Sequence, residues 1–259
     1  MMTEVTQYAP GTPSWVDLAT TDAESARAFY TGLFGWEVDT QGEEAGYYMM
    51  LRKDGRDVAA LFPAGPENGP PHWNTYVTVA CVDTAVERAE PAGGSVIVPP
   101  FDLMDAGRMA VVSDPTGAVI ALWESRKHIG ARLVNEPGAF CWSELTTSDR
   151  ERAAAFYGAV LGWSSRTNTM GPVTYTEFQN GVSTVAGMME TAGVPPHWGV
   201  YFAVENADET VARAEELGGS VLRPVMDLPI GRFATLVDPQ QAVFSIIQFS
   251  RPCHDSSAS

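Results

Sequence analysis

Apolar positions along this chain keep two alternating rhythms. In SWVDLAT (residues 14–20) they alternate often enough for a strand. In DAESARAFYTGLFG, residues Ala26, Phe29, Tyr30 and Leu33 recur at spacings of three and four, which predicts a helix with one apolar face. Asp22 is placed to cap its start and Gly35 to end it. YYMMLR and DVAALFP then read as strands around the turn signal KDGRD. A second unit follows: strand WNTYVTV, a helix from Asp83 to about Ala92 ending in GG, and strands SVIVPP, RMAVVSD and AVIALWE. The order βαβββ has thus occurred twice by residue 125.

It then begins again. WVDLATTDAESARAFYTGLFGWEV from Trp15 is matched by WSELTTSDRERAAAFYGAVLGWSS from Trp142. PPHWNTYV is matched by PPHWGVYF, and GRMAVVSDPTGAVIAL by GRFATLVDPQQAVFSI. The repeat is half the chain, so a whole unit is duplicated rather than a short solenoid repeat.

Three of these stretches carry a family resemblance: ARAFYTGLFGW with AAAFYGAVLGW, the helix VDTAVERAEPAGG, and the Asp-Pro endings at Asp114 and Asp238. They resemble the vicinal-oxygen-chelate superfamily of glyoxalase I, extradiol dioxygenases and bleomycin-binding proteins, from about Thr12 to Phe249. The resemblance implies an α+β fold in which two βαβββ modules curl into one cup-shaped, partly open barrel. Four modules imply two such domains in tandem, over residues 1–127 and 136–251, with a linker at 128–135 and a tail at 252–259.

The resemblance also implies where a metal would be held: in the first strand, early in the second module and near the end of the last strand. Those places fall on Trp15 and Trp142, Asn74 and Gly199, Ala121 and Ser245. None is a strong donor for a divalent ion. His72 and His197 stand two residues before one of these places and so share its strand face. Either is expected among the ligands should a metal bind; the alternative is a hydrogen bond to a neighbouring loop. The expectation is therefore no cofactor, with a divalent metal as the disfavoured alternative.

Other chemistry occupies those places. Trp15 and Trp142 offer either a platform for a flat ligand or a plug for the cup. Asp17 and Glu144, two residues on, share the tryptophan's face and are candidate acid/base groups if desolvation raises them; pairing with Arg108 or Arg232 is the alternative. A ligand site is expected from Trp15, Asp17, Trp73 and Asn74, with Met104 in a rim loop at 101–107 (its counterpart at 225–231) and Trp142 in the second cup. The first cup is favoured, because it keeps Asn74 and Trp123 where the second has Gly199 and Ile247. His128 and His254 are expected in solvent. The leading functional reading is metal-free binding of a hydrophobic or aromatic small molecule, as in drug sequestration or self-resistance. The alternative is an enzyme of the glyoxalase–dioxygenase group using a degenerate metal site or an Asp/Glu acid/base.

Composition narrows the partners. The 259 residues carry a net charge of −16, which disfavours a phosphate backbone. No apolar run reaches the ~18 residues of a membrane span, and MMTEVTQYAPGTP lacks the pattern of a signal peptide. Three scattered cysteines suit a reducing, cytoplasmic setting. A small molecule is the expected partner, with no nucleic acid and no membrane, for a monomer or homodimer.

Overall fold

Each half of the chain lays down two βαβββ units in the expected order. In the computed structural model, which describes residues 4–170 and 173–250, the first unit is β1 (Pro13–Thr20), α1 (Ala23–Phe34), β2 (Glu37–Thr40), β3 (Met49–Lys53) and β4 (Arg56–Pro63). The second is β5 (His72–Thr78), α2 (Val82–Ala89), β6 (Ser95–Leu103), β7 (Gly107–Ser113) and β8 (Val119–Ser125). The third is β9 (Phe140–Thr147), α3 (Arg150–Leu161), β10 (Ser164–Met170), β11 (Val173–Asn180) and β12 (Ser183–Glu190). The fourth is β13 (His197–Ala203), α4 (Ala207–Glu216), β14 (Ser220–Leu228), β15 (Gly231–Val237) and β16 (Val243–Phe249).

Helix ends follow their sequence signals. The Asp22 side chain accepts from Ser25 N at 3.0 Å, and Gly35 takes the left-handed conformation that ends α1. Asp149 and Gly162 repeat both devices on α3. The expected rim loops are shorter than 101–107 and 225–231, because β6 runs on to Leu103 and β14 to Leu228. Backbone pairing across each hairpin continues to Leu103↔Gly107 and Leu228↔Gly231.

Each half forms one eight-stranded sheet, ordered β2-β3-β4-β1-β5-β8-β7-β6 and β10-β11-β12-β9-β13-β16-β15-β14. Neither closes into a true barrel. Along β1, Trp15, Asp17 and Ala19 point to one face and Val16, Leu18 and Thr20 to the other. The second face carries the helices, and there the halves interlock. One core joins Val16, Leu18, Phe29 and Tyr30 of the first unit to Phe202, Leu236 and Phe244 of the fourth. The other joins Val77, Ala85 and Ile120 of the second unit to Phe156, Tyr157 and Phe178 of the third.

The repeated Phe-Tyr and Asp-Pro motifs explain this pairing. Asp114 Oδ1 accepts the amides of Thr116, Gly117 and Ala118, which fixes the β7–β8 turn. Its other oxygen accepts the Tyr157 hydroxyl from the opposite half at 3.1 Å, and that hydroxyl accepts Trp198 Nε1 at 2.8 Å. The mirror relation holds: the Tyr30 hydroxyl donates to Asp238 Oδ2 at 3.0 Å and accepts Trp73 Nε1 at 3.0 Å. Trp36 Nε1 donates to Gly138 O at 2.7 Å, and Trp163 Nε1 to Gly11 O at 2.6 Å. The tyrosine, tryptophan and aspartate side chains of these relays are all buried, so losing a partner leaves a dry polar atom.

Tyr30→Phe and Tyr157→Phe should each cost about 2 kcal/mol, because each strands an indole N–H and a carboxylate oxygen. Since the two relays sit in separate cores, the double variant should add to within about 0.5 kcal/mol. Urea unfolding of the three variants checks both statements.

Candidate functional site

The face of each sheet away from the helices forms a cup, and strand register fixes what lines it. In the first sheet Trp15 pairs with Tyr76 and Asp17 with Asn74 across β1–β5, while Asp17 lies beside Ala60 of β4. Asp17 is 1% exposed, yet its carboxylate is fully engaged. Oδ2 accepts the hydroxyls of Tyr48 at 2.8 Å and Tyr76 at 2.9 Å, and Oδ1 accepts Asn74 Nδ2 at 3.0 Å. Trp15 Nε1 donates to the Tyr48 hydroxyl at 2.9 Å. Burial pushes the Asp17 carboxyl up, against the opposing pull of its three donors and of His72. The same burial, with the Asp17 charge beside them, pushes Tyr48 and Tyr76 well above the ordinary phenol value.

This cup is shut. His128 stands edge-on to Trp15, ring centroids 4.5 Å apart, and to Trp123 at 5.8 Å. Ala131 and Val134 pack on Trp15 and Ala60. His128 is therefore not in solvent, as its linker position suggested. It is largely buried, its Nε2 has no hydrogen-bond partner, and burial lowers it to about 4. The segment joining the halves has become the stopper of the first cup, and Trp15 is part of the plug.

Other expected residues also move. Trp73 lies on the opposite face of β5, in the core with Tyr30 and Phe202, because it is one residue out of phase with Asn74. Asn74 does reach the cup, where Oδ1 meets His72 Nε2 at 3.1 Å. Met104 is 58% exposed at the tip of the β6–β7 turn. Arg108 and Arg232 do not pair with Asp17 and Glu144; they bind Asp83 with Asp102, and Asp208 with Asp227. His72 and His197 each meet a proline carbonyl, Pro70 O and Pro195 O, at 2.8 Å. His254 lies outside the described residues.

The second cup repeats the constellation, and among the described residues no ring packs on Trp142 as His128 does on Trp15. Glu144 Oε1 accepts the Tyr201 hydroxyl at 3.1 Å, and Tyr175 also hydrogen-bonds the carboxylate. Trp142 Nε1 donates to the Tyr175 hydroxyl at 3.1 Å. Gly187, beside Glu144 on β12, leaves room for that phenol: a Cβ there would meet the Tyr175 hydroxyl at 1.8 Å. Trp142, Glu144, Tyr175 and Tyr201 are only half-buried, whereas Trp15 and Asp17 are sealed. Burial raises the Glu144 carboxyl, against the two phenols, Arg223 and His197. Opposite Glu144 stands Gly199, so nothing here takes the part of Asn74. Sequence reasoning missed all four tyrosines. Their signal was present: Tyr76 and Tyr201 follow Asn74 and Gly199 by two residues, on the same strand face.

A separate cleft of about 220 Å³ lies at the seam between the halves, lined by residues including Gly11, Cys81, Thr84, Arg88 and Leu161. It contains none of the acid–tyrosine groups.

Two cups of βαβββ modules, each with a carboxylate held by two phenols on its floor, define a tandem vicinal-oxygen-chelate protein. The chain belongs to the glyoxalase/bleomycin resistance protein/dioxygenase superfamily: the family model of that description matches residues 12–122, and a glyoxalase-like domain model matches residues 142–247. It is 46% identical over 256 residues to the "Putative glyoxylase CFP32" of Mycobacterium bovis, covering 95% of this chain and 98% of that one. It is 40% identical over 262 residues to the anthracycline biosynthesis protein DnrV of Streptomyces peucetius, covering 94% and 95%. Among solved structures, the Mn(II)-bound glyoxalase from Novosphingobium aromaticivorans superposes with a TM-score of 0.66 at 15% identity, over 94% of this chain and 85% of that one. A 2,2',3-trihydroxybiphenyl 1,2-dioxygenase from Sphingomonas wittichii gives 0.64 at 16% identity, over 93% and 91%.

These findings overturn two expectations. The expectation of metal-free sequestration is contradicted, since the chains that share this fold are a Mn(II)-bound glyoxalase and ring-cleaving dioxygenases. A divalent ion can no longer be set aside as a cofactor, since a chain of this fold holds Mn(II). The donor set of this chain is another matter. Among the described residues no three His, Cys, Asp or Glu side chains converge. Glu144 and His197 come from adjacent strands of the second cup, but the neighbouring places hold Gly199 and Ser245. In the first cup three donors already occupy the Asp17 carboxylate. A centre with three protein donors does not fit these residues.

The raised Asp17 makes a prediction about stability. Its folded-state pKa lies above the ordinary 3.8, so the folded protein binds the proton more tightly than the unfolded chain. Its contribution is fully present below pH 3.8 and is lost as pH rises through the raised value. Relative to Asp17→Asn, the wild type should therefore lose urea resistance as pH rises from 3.8, and a parallel pair of pH curves would refute the assignment.

Proposed function

We propose that the chain is an enzyme of the glyoxalase–dioxygenase group working in its second cup, where Glu144 moves a proton on a small carbonyl or hydroxy-aromatic compound seated on Trp142. One observation carries this reading. Glu144 is a desolvated carboxylate, raised in pKa and held only by phenols, in a cup that the linker leaves open. A carboxyl group tuned upward is suited to general acid/base work near neutral pH. Tyr175 and Tyr201 hold it in place by donating their hydroxyl protons to it. Asp17 has the same partners plus Asn74 and no access, which suits a structural role.

The names of the relatives indicate which compounds to try. One is named as a glyoxylase, another for anthracycline biosynthesis. Small oxoaldehyde–thiol adducts and polycyclic aromatic ketones are therefore the first substrate classes. Among the described residues no helix is long and apolar enough to cross a membrane, and the exposed Cys81 thiol suits a reducing cytoplasm.

Proton NMR in D₂O, with and without added Mn(II), tests the reading through solvent exchange or turnover of these compounds. Glu144→Gln should lower the rate by about 10²–10⁴-fold, while Asp17→Asn leaves it within about threefold. If Glu144 accepts the proton, kcat/KM should rise with pH along a limb lying above the ordinary glutamate value of 4.5. Loss of activity in Asp17→Asn with Glu144→Gln unaffected would assign the chemistry to the wrong cup.

A further inference from the structure

The two cups share their floors but not their far walls. From Trp142 a single register row crosses five strands: Trp142 pairs with Tyr201, Tyr201 with Ser245, Ser245 with Thr235, and Thr235 with Arg223. The corresponding row in the first sheet runs Trp15, Tyr76, Ala121, Val111, Val98. Serine, threonine and arginine thus stand where the plugged cup has alanine and two valines. A wall that only had to be filled has no use for three polar groups.

The wall is connected to the acid. Thr235 and Ser245 hydroxyls lie 3.1 Å apart, Ser245 hydrogen-bonds Tyr201, and Tyr201 donates to Glu144. Arg223 stands at its end. Residues paired across strands share a sheet face, so the exposed Arg223 stands on the cup side with Thr235, Ser245 and Tyr201, and its charge opposes the upward push of burial on both Glu144 and Tyr201. Among the described residues Arg223 forms no ion pair, whereas Arg108 and Arg232 of the neighbouring strands are each bound to two aspartates. In a chain of net charge −16, an arginine on the face of a cup offers an anion a local partner.

We propose that Arg223 is the anchor for a carboxylate on the substrate, holding it by its planar fork across the cup from Glu144. This deepens the reading of the second cup as the working site and rests on it. The substrate class becomes a small aromatic or carbonyl compound that also bears a carboxylate. Its flat part lies on Trp142, its anionic end on Arg223, and its reacting atom between them, within reach of Glu144. The valine at position 98 explains why the first cup could not take such a ligand even if unplugged.

Binding of 2-naphthoate and of its neutral isostere 2-naphthamide, followed by tryptophan quenching and calorimetry on the full chain, tests the anchor. The carboxylate should bind the wild type more tightly than the amide. Arg223→Gln should weaken the carboxylate about tenfold or more, leave the amide within about twofold, and so remove the preference. Arg223→Lys should recover part of it. Trp142→Ala should weaken both probes, which reports on the cup independently of the anchor. An unchanged preference in Arg223→Gln, equal losses of both probes, or no preference in the wild type would overturn the anchor. Failure of Trp142→Ala to affect either bound probe would overturn the second cup itself, and failure of both probes to bind would overturn the proposal.

Discussion

Everything in this molecule hangs on a buried hydrogen-bond relay that appears twice and crosses between the halves each time. An indole donates to a phenol on a helix, and the phenol donates to an aspartate that holds a turn in the opposite half. Because the aspartate's other oxygen is occupied by turn amides, the phenol meets an acceptor already held in place. Two helices can then pack against the partner half without leaving buried polar atoms bare. The cores are accordingly shared, one unit from each half, and neither half owns a complete one. This is also what the paired Pro-Pro-His-Trp stretches are for. Their tryptophans feed the relay, and their histidines meet the proline carbonyl two residues upstream.

With helices and relays on one face, the other face of each sheet is free to carry chemistry. The two cups begin from the same floor of carboxylate, two phenols and tryptophan, and part ways in their surroundings. In the first, asparagine, histidine and packed linker residues complete every contact, so the acid is an internal polar knot. In the second, glycine replaces the asparagine and an open approach remains. The same burial that raises both carboxyls thus has opposite meanings: a cost absorbed by structure in one cup, and a tuned group within reach of solvent in the other.

The architecture was legible in the chain because it is written twice. Periodicity located the helices, Asp22 and Gly35 their ends, and the duplicated motifs the four units. The placement of Asp17 and Glu144 beside tryptophan followed from strand alternation alone. Alternation also condemned Trp73, which sits one residue out of phase with Asn74. What could not be read was the third dimension of the cups. Nothing local in YYMM says that Tyr48 reaches across two strands to Asp17. Nor does anything in HIGARLV say that His128 folds inward, since a polar linker normally runs over the surface. The preference for the first cup rested on Asn74 and Trp123, and the structure sets the one on the Asp17 carboxylate and the other against His128.

The stopper in the first cup has a wider consequence. Two separate copies of such a half, related by symmetry, would own identical cavities, and any change in one would appear in the other. Joining them end to end makes the stretch after β8 serve as both tether and cork. The fusion therefore breaks the equivalence of the two cavities before any side chain differs. One cavity is filled by the chain's own linker, and in the other the carboxylate stays half-buried.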